Sequence, residues 1–244
     1  MGQATTRTAA PAGAALAGHV TTLAEQTFTV ADQLRRLTED LFAGGVPHSA
    51  DLAVLRPQVV AALGGLITGA GVITTPLADD RSGLEWWMDS RPEGRTRLEL
   101  DLDPASDTFV DVSRQAWFAV PRTTGRRHVT GPYVDYVCAE QYTLTFTVPL
   151  TVRGAFAGIA GADVFVGDLE RALRPALRAV GASVALVNTQ GRVIAGNTAH
   201  HITGSLVREP HIRAALQEAT TQTLADGASV IPCGTLPLAV LTWP

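Results

Sequence analysis

Between Trp86 and Asp163 the chain gathers the side chains best suited to hold a small molecule. Trp86-Trp87, Trp117-Phe118 and Tyr133 stand there among Asp111, Asp135 and Asp163, and the span contains three of the four tryptophans. Aromatic faces beside carboxylates suit a cation. A ring over an ammonium contributes about 0.5–2 kcal/mol, and a hydrogen bond to a charged group about 1.5–3 kcal/mol. Asp163 interrupts Ile159-Ala160-Gly161-Ala162-Asp163-Val164-Phe165, otherwise a strand of apolar and small residues. A carboxylate in such a strand needs a partner, because burying it alone costs several kcal/mol. That partner is either protein, as an Arg or a backbone N–H, or a ligand cation. Pro132-Tyr133-Val134-Asp135 lies where an irregular loop enters a sheet, and alternation puts Tyr133 and Asp135 on one face. The competing use of these groups is enzymatic, with Asp135 or Asp163 and His128 as an acid–base pair acting on a small metabolite.

Composition removes other chemistries. All 19 basic residues are Arg, so no Walker lysine, Schiff-base lysine or kinase ATP-lysine exists. Against 23 acidic residues they leave a net charge of −4, a poor basis for binding nucleic acid. Cys138 and Cys233 are too few for a zinc site, and His200-His201 has no carboxylate at metal spacing. No metal or cofactor is expected, and no hydrolase elbow of the Gly-x-Ser-x-Gly type occurs. The stretch Val59 to Ile73 is too short for a bilayer, which needs roughly 20 residues, and Met1 to Gly18 lacks the pattern of a secretory signal. These features predict a soluble, cytoplasmic protein without a membrane span.

The elements that must position the cluster follow from periodicity. Residues 1–18 read as a flexible tail. From His19, apolar residues Leu23, Val30, Leu34, Leu37 and Leu41 recur at helical spacing, and Gly44-Gly45 stop the helix. Its charged faces flank the leucine stripe, which predicts a homodimer through residues 19–43. Ser49 caps a second helix carrying Leu52, Leu55, Val59 and Leu63, divided at Pro57. The period then becomes two. Residues 97–103 alternate cleanly, and Tyr142 to Val148 place threonines on one face and apolar residues on the other. Ser113 to Val120 reads as a short helix and Pro121 to Pro132 as a loop. Arg153-Gly154 turns the Tyr142 strand into a second strand, Ala155 to Val166. A helix over 167–180, two strands flanking Asn188 to Gly191, a helix near 210–219 and two short strands complete the chain. Helices in front of an antiparallel, hairpin-built sheet make an α+β layout, without the βαβ alternation of a dinucleotide fold.

Several of these residues, in this order, resemble the Cache sensor domains, which are extended PAS-like modules that bind small molecules. The resemblance runs through Trp117-Phe118, Gly131-Pro132-Tyr133-Val134-Asp135, Leu144 to Pro149, Gly154, Gly158, Gly161-Ala162-Asp163-Val164 and Leu169-Glu170. It covers roughly residues 86–195, with the helix at 19–43 matching the family's first helix. It implies an antiparallel PAS-like sheet over residues 19–180, while residues 181–244 either complete that module or form a smaller second one. In amino-acid-binding Cache modules an Arg-x-Trp-Tyr segment grips the ligand carboxylate, and a later Tyr and the Asp of the Gly-x-Asp strand hold its ammonium. The resemblance therefore implies ligand-binding roles for Trp117, Phe118, Tyr133 and Asp163. Two residues separate Arg114 from Trp117, where the family has one. With Trp87, Asp111 and Asp135 completing the pocket, the chain is expected to be a non-catalytic sensor for a cationic amine or an amino acid, signalling to an unknown output protein.

Overall fold

Six antiparallel strands carry the middle of the chain in this computed structural model, which describes residues 2–90, 94–135 and 141–244, and only the backbone of residues 2–10, Ser90 and Asp135. They are β1 (Ile67–Pro76), β2 (Ser82–Ser90), β3 (Gly94–Arg97), β4 (His128–Asp135), β5 (Gln141–Val152) and β6 (Ala155–Phe165), in the order β3-β2-β1-β6-β5-β4. The β5–β6 hairpin closes at Arg153-Gly154, with φ of 51° and 81°. Two left-handed residues in a row are what the right-handed twist of paired strands prefers in a two-residue turn.

One face of this sheet is dry. Leu144, Phe146 and Val148 of β5 join Ala160, Ala162 and Val164 of β6 under α1 (Gly2–Ala43) and α4 (Val166–Ala179). Phe28 of α1 meets Phe146 edge-on at 5.3 Å, and the Arg127 guanidinium lies 4.5 Å from the Phe28 ring centroid while pairing with Glu25. The segment Ser49–Leu55 and α2 (Arg56–Ala62) cover β2, where the buried Glu85 receives Arg56 at 3.0 Å and Arg97 at 3.3 Å. Residues 183–243 build a second sheet from β7 (Ser183–Asn188), β8 (Val193–Gly196), β9 (Gln222–Thr223), β10 (Ser229–Pro232) and β11 (Leu238–Trp243), in the order β8-β7-β11-β10-β9. Its outer face buries Val187, Val193, Val230 and Leu241 with α5 (Pro210–Ala215). Cys233 is a buried free thiol, whereas Cys138 lies outside the described residues. No helix among the described residues is long and apolar enough to cross a membrane.

Four expectations are corrected. Residues 12–18 are no tail: α1 already runs through them, Leu16 is 1% exposed, and Gly13 lies so close to β10 and β11 that a Cβ there would meet Ile231 at 2.8 Å. The leucine stripe of α1 is not a free dimer face. Leu34 is buried, and Leu23, Val30 and Leu41 pack on the sheet, leaving only Leu37 of that stripe exposed. The alternating run 97–103 is a strand only as far as Arg97. Asp101 accepts hydrogen bonds from the Ser106 and Thr108 hydroxyls and from the Asp103 N–H. This local turn competes with the sheet ladder for the backbone. Residues 121–132 are not one loop either: α3 (Ala116–Thr124) extends to a left-handed Gly125 cap, and β4 begins at His128.

Candidate functional site

The other face of the first sheet is built from glycines, threonines and one carboxylate. Two rows run across five strands. Trp86 of β2, Gly71 of β1, Gly161 of β6, Thr147 of β5 and His128 of β4 are register partners in one row. Met88, Gly69, Asp163, Thr145 and Thr130 form the next. The glycines lower the floor of this face. The Trp86 indole lies over Gly161, where a Cβ would meet its Cη2 at 3.1 Å. Gly69 leaves room for the Asp163 carboxylate, whose Oδ2 would lie 2.7 Å from a Cβ there. Ile73 and Ile159 continue the face, and Phe118 of α3 covers it with Trp86 and Met88, backed by Leu98, Leu102, Val112 and Trp117. Phe118 meets Phe156 edge-on at 5.4 Å and Trp117 at 6.2 Å.

Asp163, only 5% exposed, is held from within the sheet. Thr145 donates its hydroxyl to Asp163 Oδ1 at 2.6 Å, and Thr145 in turn shares a 2.7 Å hydrogen bond with the Tyr133 hydroxyl. A Tyr–Thr–Asp chain thus links β4, β5 and β6. The row beside it is left unsatisfied: Trp86 Nε1 and Thr147 Oγ1 are buried and have no hydrogen-bond partner among the described residues. Buried polar groups are normally paired, so two orphans side by side on one face mark a place where a polar partner fits.

The residues singled out in the sequence separate accordingly. Trp117, Phe118, Tyr133 and Asp163 gather on or around this face. Trp87 does not. Alternation turns it to the opposite face of β2, where its Nε1 donates to Glu85 at 2.8 Å and Arg56 lies 5.4 Å from its ring. Asp111 caps the turn Val112–Arg114 by accepting from the Ser113 N–H and hydroxyl, and its pKa is lowered by the Ser113 hydroxyl first of all. Arg114 pairs with Asp111 at 3.2 Å and points into solvent, 88% exposed. The Asp135 side chain lies outside the described atoms. Trp86, Thr145 and Thr147 are the additions. The threonine face of β5 was legible, and with Asp163 in the neighbouring strand it pointed to the same side. The choice between Trp86 and Trp87 required the register of β2.

No family model matches the chain. Among curated proteins, the methyl-accepting chemotaxis protein TlpQ of Pseudomonas aeruginosa is 27% identical over 89 residues, 35% of this chain and 12% of that protein. The chain therefore matches only a small part of its curated relative. Solved structures align over nearly the whole length. The extracellular domain assigned to a histidine kinase, mmHK1S-Z3, gives a TM-score of 0.74 at 13% identity, covering 98% of this chain and 93% of that one. The ligand-binding domain of the Pseudomonas aeruginosa amino acid chemoreceptor PctC, in complex with GABA, gives 0.57 at 17% identity, covering 94% and 95%. The sensory domain of the Campylobacter jejuni chemoreceptor Tlp3 with isoleucine bound gives 0.56 at 13%, covering 94% and 89%. At such identities the likeness is one of fold, and the chain has the extended PAS-like fold of the Cache sensory domains.

Proposed function

We propose that the chain is a non-catalytic sensory module that binds an amino acid, or a closely related amine, on the glycine-floored face of its first sheet. The observation that carries this reading is the pair of buried groups without a hydrogen-bond partner among the described residues, Trp86 Nε1 and Thr147 Oγ1, one row from the buried Asp163. An indole N–H can only donate, so its partner must offer an acceptor. Asp163 supplies negative charge for an ammonium. A molecule with both groups a few ångströms apart satisfies the two rows together, which favours a zwitterion over a simple amine. GABA and isoleucine, bound in the structurally similar PctC and Tlp3 domains, have this chemistry. Binding would be passed on to an output protein that reads the module.

The acid–base alternative has less support. β5 separates β4 from β6 and His128 stands one row away from Asp163, so their backbones are about 12 Å apart at the usual strand spacing and rise, and Asp163 Oδ1 is engaged by Thr145.

The test is a thermal melt of the wild type and Asp163→Asn against GABA, isoleucine, valine and simple amines. Ligand at about 100 times its Kd stabilises by roughly 2.7 kcal/mol, or about 5–10 °C for a chain of this size. Asp163→Asn keeps the Oδ1 acceptor for Thr145 and removes the charge, so the unliganded melt should change little and the ligand shift should vanish. A full shift in Asp163→Asn, or no shift across the panel in the wild type, would refute the reading.

A further inference from the structure

A second opening lies where the two sheets meet. It is a cleft of about 360 Å³, with the start of α3 and the edge strand β4 on one wall, and the β7–β8 turn and Pro237 on the other. That volume lies in the range of small-molecule sites, roughly 300–1,000 Å³. Among the described residues no carboxylate lines it. Its polar groups are amides, hydroxyls, one imidazole and one guanidinium: Gln115, His128, Thr130, Gln190 and Arg192 are the members that matter. Thr130 Oγ1 is buried and has no hydrogen-bond partner among the described residues. Arg192 is held in place from behind. Its Nη1 donates to the Gly204 carbonyl at 2.7 Å, and its backbone N–H donates to Asn188 Oδ1 at 2.9 Å. Asn188 Nδ2 in turn donates to the Gly131 carbonyl at 2.8 Å, tying the turn to β4 across the mouth of the cleft. Trp117 supplies an apolar wall.

We infer that this cleft, which adjoins the Asp163 face and shares Trp117 and Tyr133 with it, is a further binding site for a small carboxylate bearing an apolar or aromatic body. Arg192 and the Thr130 hydroxyl meet the carboxylate, and Trp117 and Pro237 cover the rest. The charge logic is opposite to that around Asp163: one guanidinium and several neutral donors call for an anion. The two places meet at Trp117 and Tyr133, but their anchoring groups are apart. Thr130, Thr145 and Asp163 lie in one row on successive strands, which separates the Thr130 and Asp163 backbones by about 10 Å. An occupant touches both sheets at once, so it stabilises their junction.

Benzoate is the probe, with benzamide as its neutral counterpart, titrated calorimetrically into the full chain at neutral pH. Benzoate should bind the wild type and Asp163→Asn equally, with a Kd below about 1 mM. Arg192→Gln and Thr130→Val should each weaken it several-fold, Arg192→Gln by about tenfold or more, and benzamide should bind far more weakly. Because Arg192→Gln also removes the bond to Gly204, Thr130→Val serves as the variant that leaves the junction intact. No binding of benzoate at about 10 mM overturns the inference. So does benzoate binding that is lost in Asp163→Asn yet kept in Arg192→Gln and Thr130→Val, since the acid then occupies the other site. The amino-acid reading can fail without touching this result, because benzoate carries no ammonium.

Discussion

Gly69 and Gly71 are neighbours on one face of β1, and replacing each with alanine separates the fold from the site. A Cβ at Gly71 would run into the backbone of β2, meeting the Glu85 carbonyl oxygen and, at 2.6 Å, the Trp86 Cα. Backbone on a paired central strand cannot move aside without breaking its ladder. Overpacking of this kind costs about 1–3 kcal/mol and more where nothing can give, so Gly71→Ala should cost about 3 kcal/mol. At roughly 2–4 °C per kcal/mol that is a fall of about 6–12 °C in Tm. At Gly69 the same methyl meets side-chain ends, Met88 Sδ at 2.6 Å and Asp163 Oδ2 at 2.7 Å. Met88 is unbranched and can re-pack, so the folding cost should stay near 1 kcal/mol, a few degrees. Asp163 must also shift, and it is tethered to Thr145, so the site is disturbed where the fold is not. Gly69→Ala should therefore melt near the wild type and lose about tenfold or more in affinity for the proposed amino-acid ligand, equivalent to about 1.4 kcal/mol. Calorimetric melts with and without that amino acid give both quantities. A Gly69→Ala protein that binds normally, or one destabilised as much as Gly71→Ala, would refute the placement of Asp163 over Gly69.

The start of α1 should matter for stability: Leu16→Ala removes a side chain buried against the core and should cost about 2–5 kcal/mol in a urea titration, where a true tail would show nothing. Burial pushes the Cys233 thiol up to about 12. In a Cys138→Ser background it should react with iodoacetamide only after denaturant is added, because the thiolate is the reactive form. Burial also holds the His128 pKa below its ordinary value of about 6.5. The unfolded chain then takes up the proton first, so the contribution to stability is complete above about pH 6.5 and is lost as pH falls below it. His128→Gln should flatten that part of a stability-against-pH curve, and an unchanged slope would put the imidazole in water.

What the sequence disclosed, and what it hid, depended on how many faces of each element are buried. β5 and β6 were legible because β5 has a threonine face and an apolar face, and Arg153-Gly154 is a two-residue turn. β1 gave no period of two. It is buried on both sides from Ile67 to Ile73, and its open face is made of glycine at 69 and 71. Such a strand reads as a continuous apolar run. The misplacement of Trp87 follows from that gap, since without the register of β1 against β2 neither tryptophan of the pair could be assigned a side. Residues 97–103 failed for the opposite reason. Their alternation is real, and Leu98 and Leu102 do pack beneath α3, but Asp101 finds hydroxyl and backbone donors within its own loop. Local side-chain bonds offered the chain an alternative to the ladder, and no periodicity records that competition.

The candidate site shows the same division. Asp163 was visible because a carboxylate in an apolar strand is a local anomaly that one sequence can display. Arg114 departed from the family spacing by one residue, and the salt bridge to Asp111 and the turn beside it direct it outward. If the ligand is a zwitterion, its carboxylate must then be met by a donor other than Arg114, and Trp86 Nε1 with Thr147 Oγ1 are the buried groups in position for it. Recognition by an indole N–H and a hydroxyl uses neutral donors, whose hydrogen bonds are roughly half as strong as those of a guanidinium. A module of this fold that relies on them should bind amino acids more weakly than one with a buried arginine, because no charge-assisted pair is made at the carboxylate end.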